Sequence, residues 1–139
     1  MALERTLTII KPDAVETGHA GDIIRIFESN QFKLIAAHLV RLTQKEAEGF
    51  YAVHRDKGFF ESLTAFMSSG PALVMVLEGE GVIARLRQVM GATNPAQAAP
   101  GTVRKLYAQS IERNAIHGSD SPETAAFEIA YFFPGVELT

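Results

Sequence analysis

"ALVMVLEGEGVIARLRQVMG", residues 72–91, changes its hydrophobic rhythm partway along. Ala72 to Leu77 are apolar without a break, the pattern of a strand covered on its faces. From Gly81 the rhythm lengthens. Val82, Leu86, Val89 and Met90 fall on one side of a helix over 81–90, and Gly91 is its stop. A buried-looking strand that runs straight into an amphipathic helix is a βα unit, and the flanking sequence decides what it packs with.

Working outward, "RTLTII" (5–10) is a β-branched run halted by Pro12 and reads as a strand. "GDIIRIFESNQF" (21–32) sets Ile23, Ile24, Ile26 and Phe27 at mainly helical spacing. "KLIAAHLVRL" (33–42) has little polar alternation, so the expectation is a strand buried on both faces. Thr43 with Glu46 forms a capping box opening a helix over 44–54. A helix over 59–68 carries Phe59, Phe60, Leu63, Phe66 and Met67 on one stripe and closes at Gly70-Pro71. Residues 91–102 form an Ala-, Gly- and Pro-rich connection, long enough to suggest function or an interface. A short helix within 103–112 and a brief strand at "AIH" follow. Ser121-Pro122 then supplies the N-cap and first position of a helix over 122–131. This order predicts an α+β protein with a split βαβ core, its four strands covered by helices on one face.

The totals narrow the class. A chain of 139 residues suits a single domain over 1–139 and is long enough to bury a core without disulfides. It has no cysteine, which fits an intracellular protein and excludes thiolate catalysis and cysteine-bound zinc. A formal charge of −3 with no long basic run does not favour nucleic acid as a partner. No apolar stretch reaches membrane-spanning length, and the charged start at Glu4 and Arg5 does not fit a signal peptide. The expectation is a soluble cytoplasmic protein.

Familiar phosphate motifs are missing. No glycine precedes a lysine, and neither Gly-x-Gly-x-x-Gly nor His-Glu-x-x-His occurs. Any phosphate chemistry therefore falls to side chains. Lys11 ends the first strand, where open sheets present functional groups, but it also fits a solvated strand cap. Arg87 lies ~140° around its helix from Val82, at the edge of the apolar stripe, and can fork onto a phosphate or lie on the surface. Arg104, Thr93 and Asn114 are equally two-sided. Phe59 and Leu63 read first as core, and Tyr51 as core with its hydroxyl at the surface. His117, in "NAIHGSDSPE" (114–123), has more support. If helix 122–131 folds back beside it, Glu128 or Ser119 can bond one ring nitrogen and leave the other as a nucleophile. A packed structural histidine remains the alternative. His19, His38 and His54 read as loop, strand and helix-end residues.

In this order, "ERTLTIIKPDAV" (4–15), "FYAVHRDKGFFESLTAFMSSGP" (50–71), "GATNPAQAAPGTVR" (91–104) and "NAIHGSDSPE" resemble the nucleoside diphosphate kinase family of bacterial type over nearly the whole chain. The resemblance implies a ferredoxin-like domain with a four-stranded antiparallel sheet. It implies an enzyme that moves the γ-phosphate of a nucleoside triphosphate to a nucleoside diphosphate, ping-pong, through a phosphohistidine. His117 matches the nucleophile. Lys11, Tyr51, Arg87, Thr93, Arg104 and Asn114 match phosphate- and ribose-binding residues. Phe59 matches the base-stacking aromatic, with Leu63 and Ile111 beside it, and Glu128 and Ser119 match the residues that orient the histidine. Mg²⁺ held mainly by the nucleotide phosphates and a homo-oligomeric state, tetramer or hexamer, are implied too. A non-catalytic nucleotide-binding regulatory module is the competing reading; an interaction protein using loop 91–102 is a third. Leu106 departs from the family's usual acidic residue. The ending "FPGVELT" fits bacterial members.

Overall fold

A computed structural model describes residues 2–135, so Val136–Thr139, most of the ending read above, lie outside the described residues. The strands are β1 (Leu3–Ile10), β2 (Lys33–Val40), β3 (Ala72–Glu80) and β4 (Ile116–Gly118). The helices are α1 (Pro12–Glu16), α2 (Ala20–Ser29), α3 (Gln44–Phe50), α4 (Phe60–Met67), α5 (Val82–Met90), α6 (Val103–Tyr107) and α7 (Pro122–Phe132). The strands form one sheet in the order β2-β3-β1-β4, and each neighbouring pair is antiparallel. The α+β class with a four-stranded antiparallel sheet is as expected.

The expectation of helices on one face is overturned. Leu7, Ile9, Val74 and Val76 join one core cluster with Phe50, Phe66 and Met67, while Ile10, Met75 and Leu77 join another with Ile23, Phe27, Leu86 and Met90. Alternate residues of a strand point to opposite faces, so the unbroken apolar run of β3 and the buried Leu7 to Ile10 of β1 need a layer on each side. Helices α1, α2 and α5 supply one layer; α3 and α4 contribute to the other.

Strand β2 corrects a second expectation. It lies at the sheet edge and is largely accessible, with Leu39 65% exposed. An apolar run is buried on both faces only where neighbouring elements reach it, and the helices centre on β1 and β3.

Local signals fared better. Thr43 Oγ1 accepts from the Glu46 amide while the Glu46 carboxylate accepts from the Thr43 amide, the expected capping box. Ser121 caps α7 with Pro122 at its first position. The helix expected over 44–54 ends at Phe50 and passes into a 3-10 turn at Ala52–His54, and the segment within 103–112 is helical only over Val103–Tyr107. Helix α1 was not expected. Pro12, read as a strand stop, also starts this short helix, since proline is pre-set for a first helical position.

Two backbone features bring the far ends of the chain together. Strand β4 pairs with β1 so that His117 faces Ile9. Just past β1, the Lys11 amide donates to the Ala115 carbonyl at 2.9 Å.

Candidate active site

The end of β1, strand β4, the start of α6 and one side of α5 and α7 enclose a cleft of about 280 Å³. Its lining includes Lys11, Tyr51, Arg87, Thr93, Arg104, Asn114, His117 and Glu128. A second hollow of about 250 Å³ shares Lys11, Thr93 and Asn114 and continues to Phe59, Leu63 and Ile111. All the sequence-derived candidates except Ser119 therefore line one continuous groove, polar at one end and apolar at the other.

His117 is held on several sides. Its Nε2 is 2.8 Å from Glu128 Oε1. Phe50 and Tyr51 meet the imidazole edge-on, with ring centres 5.3 and 5.9 Å away. A carboxylate only accepts, so Nε2 carries the proton and Nδ1 keeps its lone pair. Nδ1 has no hydrogen-bond partner among the described residues. Ser119 sits one step back. Its buried Oγ donates to Glu128 Oε1 at 2.7 Å and does not bond the ring, so of the two expected partners Glu128 alone touches the histidine.

Gly118 shows why the neighbouring residue is small. A Cβ there would stand 2.5 Å from Met90 Sδ and 3.1 Å from Leu86 Cδ2, so these side chains of α5 would have to shift for the helix to pack this closely on β4. That approach brings Arg87 to the site, where Nη1 donates to the Gly118 carbonyl at 3.2 Å and to Asp120 Oδ1 at 2.8 Å. Gly91, with φ +88°, plays the same part for the loop, since a Cβ would meet Thr102 Oγ1 at 2.5 Å. Its carbonyl accepts from Arg104 Nη1 at 3.0 Å, while Arg104 Nη2 donates to the Ile116 carbonyl at 2.8 Å.

Lys11 is buried, and its Nζ donates to Asn114 Oδ1 at 2.8 Å. Asn114 Nδ2 reaches the Thr93 carbonyl at 3.4 Å. Burial, reinforced by the Arg104 charge, brings the Lys11 ammonium down to about 8. Burial together with Arg87 lowers Arg104 to about 10. Burial is the larger cause in both, and a neighbouring cation adds to it because these side chains crowd one wall, the arrangement expected where a polyanion is to be gripped. The Tyr51 hydroxyl is buried and unpartnered, contrary to the surface hydroxyl expected, and burial raises its pKa above the usual value.

At the other end Phe59 is 50% exposed and Ile111 59% exposed. Phe59 is therefore not the core residue its spacing suggested. It lies at the cap of α4, before the stripe turns inward, and offers a flat apolar face.

Several residues of the site escaped the sequence reading. Asp13 is buried, its Oδ2 accepts from the Ala115 amide at 3.1 Å, and burial raises its pKa. That bond pins Ala115 at φ 75°, an unfavourable value for a residue with a Cβ, in the turn between Asn114 and His117. Its only sequence signal is adjacency to Lys11 and Pro12. Asp120, the partner of Arg87, stood inside the quoted "NAIHGSDSPE" stretch, but no spacing links it to α5. Phe50 and Glu112 gave no signal beyond their place beside Tyr51 and Ile111.

Among the described residues, no group of three or more His, Asp or Glu is placed to hold a metal ion, and no helix is long and apolar enough to cross a membrane.

Comparison with known proteins agrees with this geometry. The family model described as nucleoside diphosphate kinase matches residues 4–138. The chain is 58% identical over 136 residues to a protein of Desulfosudis oleivorans named nucleoside diphosphate kinase, covering 98% of each chain. It is 57% identical over 138 residues to one of the same name from Nitrosospira multiformis, covering 99% of this chain and 98% of the relative. Among solved structures, the Aquifex aeolicus nucleoside diphosphate kinase superposes with a TM-score of 0.98 at 45% identity, over 99% of this chain and 100% of the other. A halophilic nucleoside diphosphate kinase from Halobacterium salinarum, solved in complex with CDP, gives 0.95 at 41% identity, over 99% of this chain and 92% of the other. Matched by the family model and by these relatives over nearly its whole length, and sharing the fold of the solved ones, the chain belongs to the nucleoside diphosphate kinase family.

Proposed function

We propose that His117 is the nucleophile of this chain's phosphotransfer, with Nδ1 as the attacking atom. The family reaction moves the γ-phosphate of a nucleoside triphosphate to a nucleoside diphosphate in two half-reactions through a phosphohistidine. In the first, the Nδ1 lone pair forms a bond to the γ-phosphorus as the bond to the bridging oxygen breaks and the diphosphate leaves. In the second, a terminal oxygen of an acceptor diphosphate attacks the phosphoryl group and the imidazole leaves with its lone pair restored.

The observation that carries this reading is the His117 Nε2 to Glu128 Oε1 contact of 2.8 Å, which leaves Nδ1 free at the wall of the cationic cleft. Positive charge on the imidazole of the phosphohistidine is balanced by Glu128, which Ser119 holds. Lys11, Arg87 and Arg104 stabilise the charge spread over the transferred phosphoryl oxygens. Tyr51, Thr93 and Asn114 contribute further polar contacts to phosphate and ribose. Phe59, with Leu63 and Ile111, stacks the base. A ring face is available on every base, so broad base tolerance follows.

The crowded cations disfavour a metal ion bound by protein ligands but suit phosphates that bring Mg²⁺ with them. Bound with the phosphates that Lys11, Arg87 and Arg104 grip, Mg²⁺ would supply further charge neutralisation. The halophilic relative's complex with CDP supports a diphosphate as ligand. The accessible edge of β2, where Leu34 and Leu39 are exposed, supports a homo-oligomer, tetramer or hexamer, which sedimentation would distinguish. The chain is read as one domain over 1–139 working in the cytoplasm, without nucleic acid or membrane as partner.

The test is a pulse and chase. Protein incubated with γ-labelled ATP and magnesium should acquire an acid-labile, base-stable label that an added diphosphate discharges as triphosphate. No labelling, or equal labelling of His117→Ala, would refute the assignment.

A further inference from the structure

The apolar end of the groove carries one charged group that the phosphate chemistry does not use. Glu112 stands beside Ile111 and lines the same hollow as Phe59 and Leu63. Its Oε2 accepts a 2.5 Å hydrogen bond from Ser62 Oγ, on the first turn of α4, three residues after Phe59. The bond ties the loop lip of the groove to the helix lip and fixes the carboxylate at the rim. Oε1 makes no hydrogen bond among the described residues. Glu112 is only partly buried, so its carboxylate keeps some contact with water.

A carboxylate is an acceptor only, and a base lying on Phe59 presents its polar edge at the rim of the hollow. The bases differ in what that edge offers. Guanine has two adjacent donors, the ring N1–H and the exocyclic N2 amino group. Adenine and cytosine offer one amino group beside a ring nitrogen that accepts. Uracil offers one N–H between two carbonyls, which a carboxylate repels.

We infer that Glu112, held by Ser62, is a specificity-determining residue at the base end, accepting from the guanine edge and favouring guanine nucleotides. The inference rests on the stacking of the base on Phe59 proposed above, and it limits base tolerance without abolishing it. An acceptor in contact with water discriminates several-fold, not hundredfold.

The experiment uses the phosphorylated full-length protein, discharged in single turnovers by GDP or by IDP. The base of IDP differs from that of GDP only in lacking the N2 amino group. GDP should be favoured about fivefold in the second-order constant, and the ratio should fall below about twofold in Glu112→Ala and in Ser62→Ala. A ratio that neither substitution changes overturns the assignment. So does a Glu112→Ala loss of equal size for GDP and IDP, the signature of a carboxylate acting through Lys11 or the ribose. Failure of the wild-type phosphoprotein to form, or to discharge to either nucleotide, would instead remove the phosphotransfer reading beneath it.

Discussion

The two ends of the groove are built on opposite principles. At the reacting end Lys11, Arg104 and Asn114 are buried, His117 and Glu128 are largely covered, and each of these side chains is tied to a named partner. At the base end Phe59 and Ile111 are half open to solvent and make no polar commitment. Chemistry that must place one phosphorus atom needs over-determined geometry, whereas a flat apolar shelf accepts any aromatic ring. Substitutions at the reacting end should lower turnover for every nucleotide alike. Those at the base end should weaken affinity and leave the chemical step nearly intact.

The largest expected effect is that of His117→Ala, which should cost on the order of 10⁴-fold or more in kcat with every substrate pair, since nothing else in the cleft replaces the nucleophile. Next comes Lys11→Met, expected to lower kcat/KM by about 10²–10³-fold through loss of a charge aimed at the phosphoryl oxygens. Removing that buried charge should also stabilise the nucleotide-free protein near neutral pH, read as a higher midpoint in thermal unfolding. An unchanged or lower midpoint would weaken the picture of a cation held at a cost for function.

The Lys11 charge also sets a pH dependence. Its folded-state pKa is lowered from 10.5 to about 8, so kcat/KM should decline as pH rises through about 8 and the ammonium is lost. The linked effect on stability has the opposite direction. Between about 8 and 10.5 the unfolded chain holds a proton that the folded one has shed, so Lys11 adds stability as pH rises across that window, and the gain is lost as pH falls through about 8. Lys11→Met should flatten that part of the stability curve. The groups acting on the ammonium are Arg104, which lowers its pKa, and Asp13 and Glu112, which raise it. Asp13→Asn, which keeps an acceptor for the Ala115 amide, should therefore move the alkaline limb to lower pH.

A smaller loss is expected for Glu128→Gln, about 10–100-fold in kcat, because the imidazole keeps its packing against Phe50 and Tyr51 but loses its counter-charge. Smallest of all, Phe59→Ala should raise KM about tenfold by removing a base stack, similarly for purine and pyrimidine diphosphates. A loss of kcat as large as that of Glu128→Gln would break the division between the two ends.

What the sequence disclosed follows a similar division. The caps at Thr43 and Ser121 and the passage from β3 into α5 were legible because a few adjacent residues decide them. The edge position of β2 was not, since an apolar run looks the same whether or not a helix covers it. Most residues of the groove were named through four separated motifs, yet, apart from Glu128 beside His117, their partners were not. Arg87 meets Asp120 and Asp13 meets Ala115 only because the strands bring distant segments together. The role of Ser119 was half legible: it was expected beside the histidine, and it acts on Glu128 instead. Spacing alone placed Phe59 in the core, since it does not reveal that α4 begins only at Phe60; the family resemblance is what marked it as a base-stacking residue.

The contact between Glu128 and Nε2 makes one demand that a spectrometer can check. In phosphoprotein prepared from ring-¹⁵N-histidine-labelled chain and read by ³¹P and ¹⁵N NMR without denaturation, the phosphorus should couple to Nδ1 of His117, with Nε2 still protonated. Phosphorus bonded to Nε2, or carried by any other residue, would contradict the assignment of Glu128 as the group that holds that nitrogen and frees the other.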